Sequence, residues 1–171
     1  MNDTSILIML VDKSGSMSDI ADDAIGSFNS FLEKQKQVPG EARMFVGLFD
    51  TKVSTYVVDA PIQDVPLLTK QTYSPGGMTA LLDAIGMTIT TVDSKIKGLN
   101  NPRVLLAVLT DGQENSSVEY NHPRITELLE EKKKQGWEIL FLAAGFDAAQ
   151  EASKLGFAVN KTAVFNKNSR N

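Results

Sequence analysis

Three short loops of the sequence carry side chains that could bind a metal ion. The first loop, residues 12–16 (DKSGS), follows an apolar run and holds one carboxylate and two hydroxyls. The second loop is residues 76–79 (GGMT), and the third loop, residues 110–115 (TDGQEN), again follows an apolar run. Carboxylates and hydroxyls are hard oxygen donors, which suit magnesium, manganese or calcium rather than zinc or copper. The candidate ligands are Asp12, Ser14, Ser16, Thr79 and Asp111.

Apolar runs alternate with helical patterns along the chain, which predicts an α/β domain. Continuous apolar strands suit the centre of a parallel sheet that is buried on both faces. The predicted strands are residues 5–11, 43–49, 53–59, 103–110, 137–143 and 157–160. The predicted helices are residues 18–37, 79–96, 123–135 and a segment that begins at Asp147 and ends at Gly156. Because ligands bind beyond the carboxyl ends of parallel strands, near the point where strand order reverses, we expect the three loops to converge there.

A short connection separates the second and third predicted strands. Only Asp50, Thr51 and Lys52 lie between them, which is too short for a parallel crossover and predicts an antiparallel hairpin. We therefore expect a three-layer α/β fold with a mostly parallel central sheet, one antiparallel edge strand and helices on both faces.

The composition excludes several classes of protein. The 171 residues include 42% hydrophobic and 22% charged residues, and the net charge of −4 gives no sign of a nucleic-acid-binding surface. The absence of cysteine excludes a disulfide scaffold and a thiol nucleophile, and the single His122 cannot form a multi-histidine site. The basic run 132–134 ends a predicted helix, where we expect a solvated face.

No signal segment or membrane span is evident near the N-terminus, so we expect a cytoplasmic protein or one domain of a longer chain. We expect it to bind neither membrane nor nucleic acid. We expect one domain over residues 1–160 and a polar C-terminal tail, truncated or flexible, over residues 161–171. A doubly wound fold usually covers its last strand with another helix, and none is evident here. The small domain without cysteines is typical of a prokaryotic or phage setting.

Taken together, the three loops resemble the metal-ion-dependent adhesion site of the von Willebrand factor type A (VWA) domain. The resemblance lies in the pattern D-x-S-G-S, a distant threonine in G-G-x-T and a later aspartate in T-D-G. It covers about residues 4–160, and it extends to the apolar strands before Asp12 and Asp111 and the helix after Thr79. A single short motif would be weak, whereas five positions in three correctly placed loops are specific.

The resemblance implies a role for each of these residues. Ser14 and Ser16 would ligate a magnesium ion directly, and Thr79 would do so when a ligand is bound. Asp12 and Asp111 would act mainly through waters or hydrogen bonds to the serines. The ion would then keep an open position for a glutamate or aspartate of a partner protein, for example beside an ATPase or within a multi-protein complex. The function implied is metal-dependent protein binding rather than catalysis.

Other interpretations of the same residues remain open. Asp50 is expected to be a hairpin-turn residue, and Asp83 to favour the start of its helix. Glu114, Asn115, Ser116 and Ser117 are expected to be loop and rim residues. The methionines that flank the loops, Met17 and Met78, would favour recognition if they are exposed.

An enzyme is the main alternative, because a strand-end aspartate also suits magnesium-dependent phosphoryl transfer. A haloacid-dehalogenase-like phosphatase would need a second acid two residues after Asp12, where Ser14 stands. Neither a P-loop nor a dinucleotide-binding motif is present. The third possibility is a structural VWA domain whose metal site does not function.

Overall fold

A six-stranded sheet forms the centre of the computed structural model, which describes residues 4–111, 116–144 and 162–165, together with residues 150 and 153. In chain order, strands β1 to β6 are Ser5–Asp12, Ala42–Phe49, Val53–Pro61, Arg103–Thr110, Glu138–Ala144 and Thr162–Phe165. Helices α1 to α3 are Ala21–Lys36, Leu81–Ile96 and His122–Lys134. Two short 3-10 helices, Gly15–Ile20 and Ile62–Asp64, precede α1 and follow β3.

The strand order in the sheet is β3-β2-β1-β4-β5-β6. All neighbouring pairs are parallel except β2 and β3, which form the antiparallel hairpin at one edge. Strands β2 and β3 therefore lie on one side of β1, and β4, β5 and β6 lie on the other side. This arrangement confirms the predicted mostly parallel α/β sheet with an antiparallel edge strand, and it places the reversal of strand order between β1 and β4.

Alternate residues of β1 face two separate hydrophobic clusters. Ile6, Ile8 and Leu10 pack in the cluster that contains the inward faces of α2 and α3. Leu7, Met9 and Val11 pack in the cluster that contains the inward face of α1. Because side chains alternate along a strand, the continuous apolar run of β1 places helices on both faces of the sheet.

The irregular segment after β3 completes the cluster on the α1 face. Its apolar side chains Val65, Leu68 and Tyr73 are buried there. The Asn29 side chain on α1 accepts a hydrogen bond from the Leu68 N–H at 2.8 Å and donates to the Leu68 carbonyl at 3.0 Å. These contacts fix the path of the segment as it approaches the second loop.

Lys132 differs from its expected place on a solvated face. Its side chain on α3 is only 4% exposed and forms an ion pair with Asp93 of α2. The same ammonium group lies 5.3 Å from the centre of the Trp137 ring, within range of a cation–π contact. Helix α3 turns this lysine toward α2, so the residue joins the two helices rather than facing solvent.

The sheet also extends beyond residue 160. Strand β6 pairs in parallel with β5 and uses the apolar run of Ala163, Val164 and Phe165, which lies within the stretch that we predicted to be a tail. The predicted strand at 157–160 lies outside the described residues. Of the predicted helix that begins at Asp147, only residues 150 and 153 are described, and both are helical. In the part of the chain that is described, no helix is long and apolar enough to cross a membrane.

We expect Gly86→Ala to destabilise the protein by about 1–3 kcal/mol, because overpacking forces the structure to shift. A Cβ atom at this position of α2 would lie 2.5 Å from atoms of the Tyr120 ring. Gly26→Ala on α1 is the matched control, since a Cβ there would meet nothing within 4 Å. The control should instead stabilise the helix by about 0.5–1 kcal/mol. Urea unfolding measures both changes, and equal stabilities for the two variants would contradict the close packing of Tyr120 on Gly86.

Candidate metal centre

The carboxyl ends of β1 and β4 bring the first and third loops together. Asp12 is the last residue of β1, and Thr110 is the last residue of β4, the strand beside it. Asp111 follows Thr110 directly and is 4% exposed, and Asp12 is completely buried. The two carboxylates of the candidate site therefore lie below the surface, at the point where the strand order of the sheet reverses.

Hydrogen bonds hold both oxygens of the Asp12 carboxylate. Its Oδ1 accepts from the Ser14 N–H at 2.8 Å, and its Oδ2 accepts from the Thr110 hydroxyl at 2.7 Å. The bond from Ser14 holds the first loop against the end of β1, and the bond from Thr110 connects β1 to β4. The carboxylate thus has a single fixed orientation.

The first loop places two hydroxyls on the same side. The Ser14 and Ser16 Oγ atoms are 3.1 Å apart. Ser14 has an extended backbone, and the 3-10 turn that follows is closed by a bond from the Met17 N–H to the Ser14 carbonyl at 3.0 Å. The Met17 side chain is fully buried and anchors the turn in the core.

Backbone hydrogen bonds join the first loop to the second. The Gly15 N–H donates to the Gly77 carbonyl at 3.0 Å, and the Gly76 N–H donates to the Lys13 carbonyl at 2.8 Å. Gly77 has a φ angle of +81°, a left-handed conformation that favours glycine. These bonds place the second loop at the same edge of the sheet as the serines. Thr79, which follows Gly77 by two residues, is buried there, with 1% of its surface exposed.

The turn between β2 and β3 supports the second loop from its other side. Asp50 is a turn residue as predicted, since its Oδ1 accepts from the Lys52 N–H at 3.0 Å. Its carbonyl also accepts from the Ala80 N–H at 2.8 Å. The neighbouring Thr51 hydroxyl oxygen accepts from the Met78 N–H at 3.0 Å. The hairpin therefore fixes the second loop as well as ending a strand.

Of the third loop, only its first two residues, Thr110 and Asp111, are described. Residues 112–115, which include the predicted rim residues Glu114 and Asn115, lie outside the described part of the chain. On the far side, the Ser116 N–H donates to the Thr79 carbonyl at 3.2 Å. The structure therefore joins all three loops through bonds between their residues or immediate neighbours.

Tyr73 is a contributor that the sequence did not indicate. Its side chain is 1% exposed, and its hydroxyl donates to the Asp12 carbonyl oxygen. Burial raises the pKa of the Tyr73 hydroxyl, and the charges of Asp12 and Asp111 raise it further. The group therefore stays a protonated donor beneath the site. Tyr73 lies in an irregular segment without periodicity, so no local pattern could have revealed this contact.

Burial makes the charged form of the Asp12 carboxylate unfavourable. The pKa of Asp12 is raised from 3.8 to about 6 overall: desolvation is the largest cause, the bonds from Ser14 and Thr110 lower the pKa, and the charge of Asp111 raises it. Such a perturbed carboxylate at the end of a central strand is typical of a functional site.

The candidate donor set contains hydroxyls as well as carboxylates. Among the described residues, no group of three or more histidine, cysteine, aspartate or glutamate side chains could hold a metal ion. Met78 is 51% exposed at this edge, whereas Met17 is buried. Of these two methionines, only Met78 meets the condition of exposure that a role in recognition requires.

Comparison with known proteins identifies the fold. No protein-family model matches the sequence, and no curated protein matches it. The manganese-loaded TRAP protein of Plasmodium vivax has a similar structure, with a TM-score of 0.71 and 15% identity over 98% of this chain and 70% of that one. The vWF domain of the type V pili tip protein Mfa5 from Porphyromonas gingivalis gives a TM-score of 0.69 and 11% identity over 98% of this chain and 91% of that domain.

A third similar structure is the ArnB paralog VWA2 from Sulfolobus acidocaldarius. Its TM-score is 0.59 with 19% identity, over 96% of this chain but only 42% of that protein. The likeness across these three structures shows that this chain has a VWA-like fold.

We expect Asp12→Asn to stabilise the protein at pH 7.5, in the presence of a chelator, by about 1–3 kcal/mol. Folding raises the pKa of Asp12 from 3.8 to about 6. Between pH 3.8 and about pH 6, the Asp12 carboxyl group is therefore protonated to a greater extent in the folded state than in the unfolded state. Stability then falls as the pH rises through that window, and the asparagine variant lacks this loss. Unfolding midpoints measured from pH 4 to pH 7.5 should converge at the acid end. Parallel profiles for the two proteins would contradict the raised pKa.

Proposed function

We propose that this protein is a divalent-metal-dependent protein-binding module of the adhesion or assembly kind, in which a magnesium-type ion bridges to a glutamate or aspartate of a partner. The observation that carries the proposal is the pair of Ser14 and Ser16 hydroxyls, 3.1 Å apart, beside two buried carboxylates at the edge of a VWA-like sheet. Thr79 and Asp111 complete the proposed set of five residues.

The spacing of the serine hydroxyls fits the proposed ion. Magnesium binds oxygens at about 2.0–2.1 Å in octahedral geometry, so neighbouring ligand oxygens lie about 2.9 Å apart. The Ser14 and Ser16 oxygens are already close to that separation. Magnesium, manganese and calcium are all compatible with a set of hard oxygen donors.

The hydrogen bonds of Asp12 favour an indirect role for this residue. Both of its carboxylate oxygens are held, one by the Ser14 N–H and the other by the Thr110 hydroxyl. In this role Asp12 supplies negative potential and orients the first loop, while neutral hydroxyls contact the ion. An ion held mainly by neutral ligands keeps its attraction for an incoming carboxylate.

The fold supports a binding role for the protein. The similar structures include a pili tip domain and a manganese-loaded protein, and a bound ion of the same kind is proposed here. The partner is proposed to be a protein that offers a carboxylate, in an assembled complex or beside an ATPase. Nucleic acid and membrane are not proposed as partners, because the chain carries a net charge of −4.

We expect calorimetric titration with Mn²⁺ to show about one ion per chain, since the five proposed residues make up one set of donors. Ser14→Ala/Ser16→Ala should lose this binding, and so should Asp111→Ala, while circular dichroism shows an intact fold. Ser27→Ala/Ser30→Ala is the matched control, because both serines are exposed on α1. Retained affinity in the Ser14/Ser16 or Asp111 variant would reject the site.

Acetate can serve as a probe for the partner's carboxylate. A carboxylate that takes the open position displaces water from the ion, so the relaxation enhancement of water protons by bound Mn²⁺ should fall when acetate is added. An equal concentration of chloride should leave the enhancement unchanged. Indifference to acetate would contradict carboxylate bridging while leaving metal binding intact.

The hydrolase alternative makes a different prediction. With both Asp12 oxygens held in hydrogen bonds, we expect no magnesium-dependent turnover of p-nitrophenyl phosphate. Turnover that is present in the wild type and lost in Asp12→Asn would instead support an enzyme.

A further inference from the structure

Asp83 connects the start of α2 to the chain that follows Asp111. Its carboxylate accepts three backbone hydrogen bonds, from the N–H groups of Val118 at 2.9 Å, Glu119 at 3.0 Å and Tyr120 at 2.9 Å. Its own N–H donates to the Ser117 hydroxyl oxygen at 2.9 Å. From the sequence, Asp83 is expected only to favour the start of its helix, whereas the structure gives it a specific set of partners.

These bonds act on a segment without regular structure. Residues 116–121 lie between the third loop and α3 and form neither helix nor strand. A carboxylate that accepts from three N–H groups makes strong, charge-assisted bonds, and Asp83 is 8% exposed, so water screens them little. The backbone of 118–120 therefore has one arrangement relative to α2.

The same segment is attached to the candidate metal centre. The Ser116 N–H donates to the carbonyl of Thr79, which lies four residues before Asp83 and just ahead of α2. Tyr120 packs its ring against Gly86, about one turn beyond Asp83 along the helix. The segment is thus fixed along the first turns of α2, beginning at Thr79, and it continues directly from the third loop.

We propose that Asp83 is a positioning residue of the metal centre. It does not touch the ion, but it fixes residues 117–120, which follow the third loop, to the helix that begins after Thr79, and through them it would orient Thr79 and Asp111 toward the ion. This inference rests on the proposed function. It adds the buried carboxylate of Asp83 to the five residues proposed above. Asp83 would orient the proposed ligands and would not itself bind the ion.

The test is an Mn²⁺ titration of Asp83→Asn. Asparagine keeps one acceptor oxygen, but its amide group would face a backbone N–H that now lacks an acceptor. Loss of a group that orients metal ligands typically weakens metal binding by about 10–100-fold, and we expect a loss in that range. Circular dichroism and the unfolding midpoint, measured with a chelator present, report the fold separately.

Asp93→Asn is the matched control on the same helix. Asp93 lies near the far end of α2 and pairs with the buried Lys132, so its loss should lower the unfolding midpoint and leave Mn²⁺ affinity unchanged. If Asp83 served stability alone, Asp83→Asn would behave like this control. Affinity equal to that of the wild type would therefore overturn the inference.

Ser117→Ala keeps the inference testable if Asp83→Asn does not fold. This change removes the hydroxyl that accepts from the Asp83 N–H and leaves the three bonds to the Asp83 carboxylate, so a smaller loss of Mn²⁺ affinity is expected, and an unchanged affinity would overturn the inference. The wild type separates the two proposals. Absence of Mn²⁺ binding by the wild type rejects the proposed function and this inference together, whereas wild-type binding with unaffected variants rejects this inference alone.

Discussion

Two carboxylates, Asp12 and Asp111, are buried at the edge of the sheet; burial raises the pKa of Asp12, and the charge of Asp111 adds to the electrostatic cost of ionising it. The surroundings reduce that cost without removing it. Ser14 and Thr110 donate to the Asp12 carboxylate and so favour its charged form. Natural proteins retain such unfavourable arrangements where function requires them. A bound divalent cation would turn the repulsion between the two groups into a shared attraction, which gives the proposed function its physical basis.

The loops around these carboxylates are fixed by neighbouring elements rather than by their own composition. The β2–β3 turn bonds to Met78 and Ala80, and the first loop bonds to Gly76 and Gly77. The segment that follows the third loop is held by Asp83. The described part of the candidate site would therefore need little ordering if a partner bound there, and ordering is one of the main costs of association. Two apolar side chains on this fixed backbone face solvent, with Met78 51% and Val118 87% exposed.

Local patterns were sufficient to predict strands β1 to β5, helices α1 to α3 and the edge hairpin. The apolar runs of β1 and β4 are long, and a three-residue connection leaves one pairing for β2 and β3. The loop motifs indicated the five candidate ligands for the same reason, because each motif directly follows a strand or begins a helix. Strand β6 was missed because its apolar run is short and lies in a polar stretch.

Contacts between distant residues could not be predicted in this way. The bond from Tyr73 to Asp12 spans 61 positions, and the ion pair of Lys132 with Asp93 spans 39. The partners of Asp83 lie 34 to 37 positions away, in a segment without periodicity. Nothing in the sequence near any of these residues specifies its partner, since only the packed fold brings them together.

The bond between Thr110 and Asp12 also sets an order of events during folding. These residues are 98 positions apart, and they meet only when β4 pairs with β1. During synthesis from the N-terminus, the residues of β1, β2 and β3 are synthesised well before Thr110 of β4. Pairings between strands that are distant in sequence, such as β1 with β4, also form slowly. Until then the first loop lacks the hydroxyl that holds one Asp12 oxygen. Completion of the candidate site therefore coincides with closure of the centre of the sheet, and a chain that ends before β4 cannot contain it.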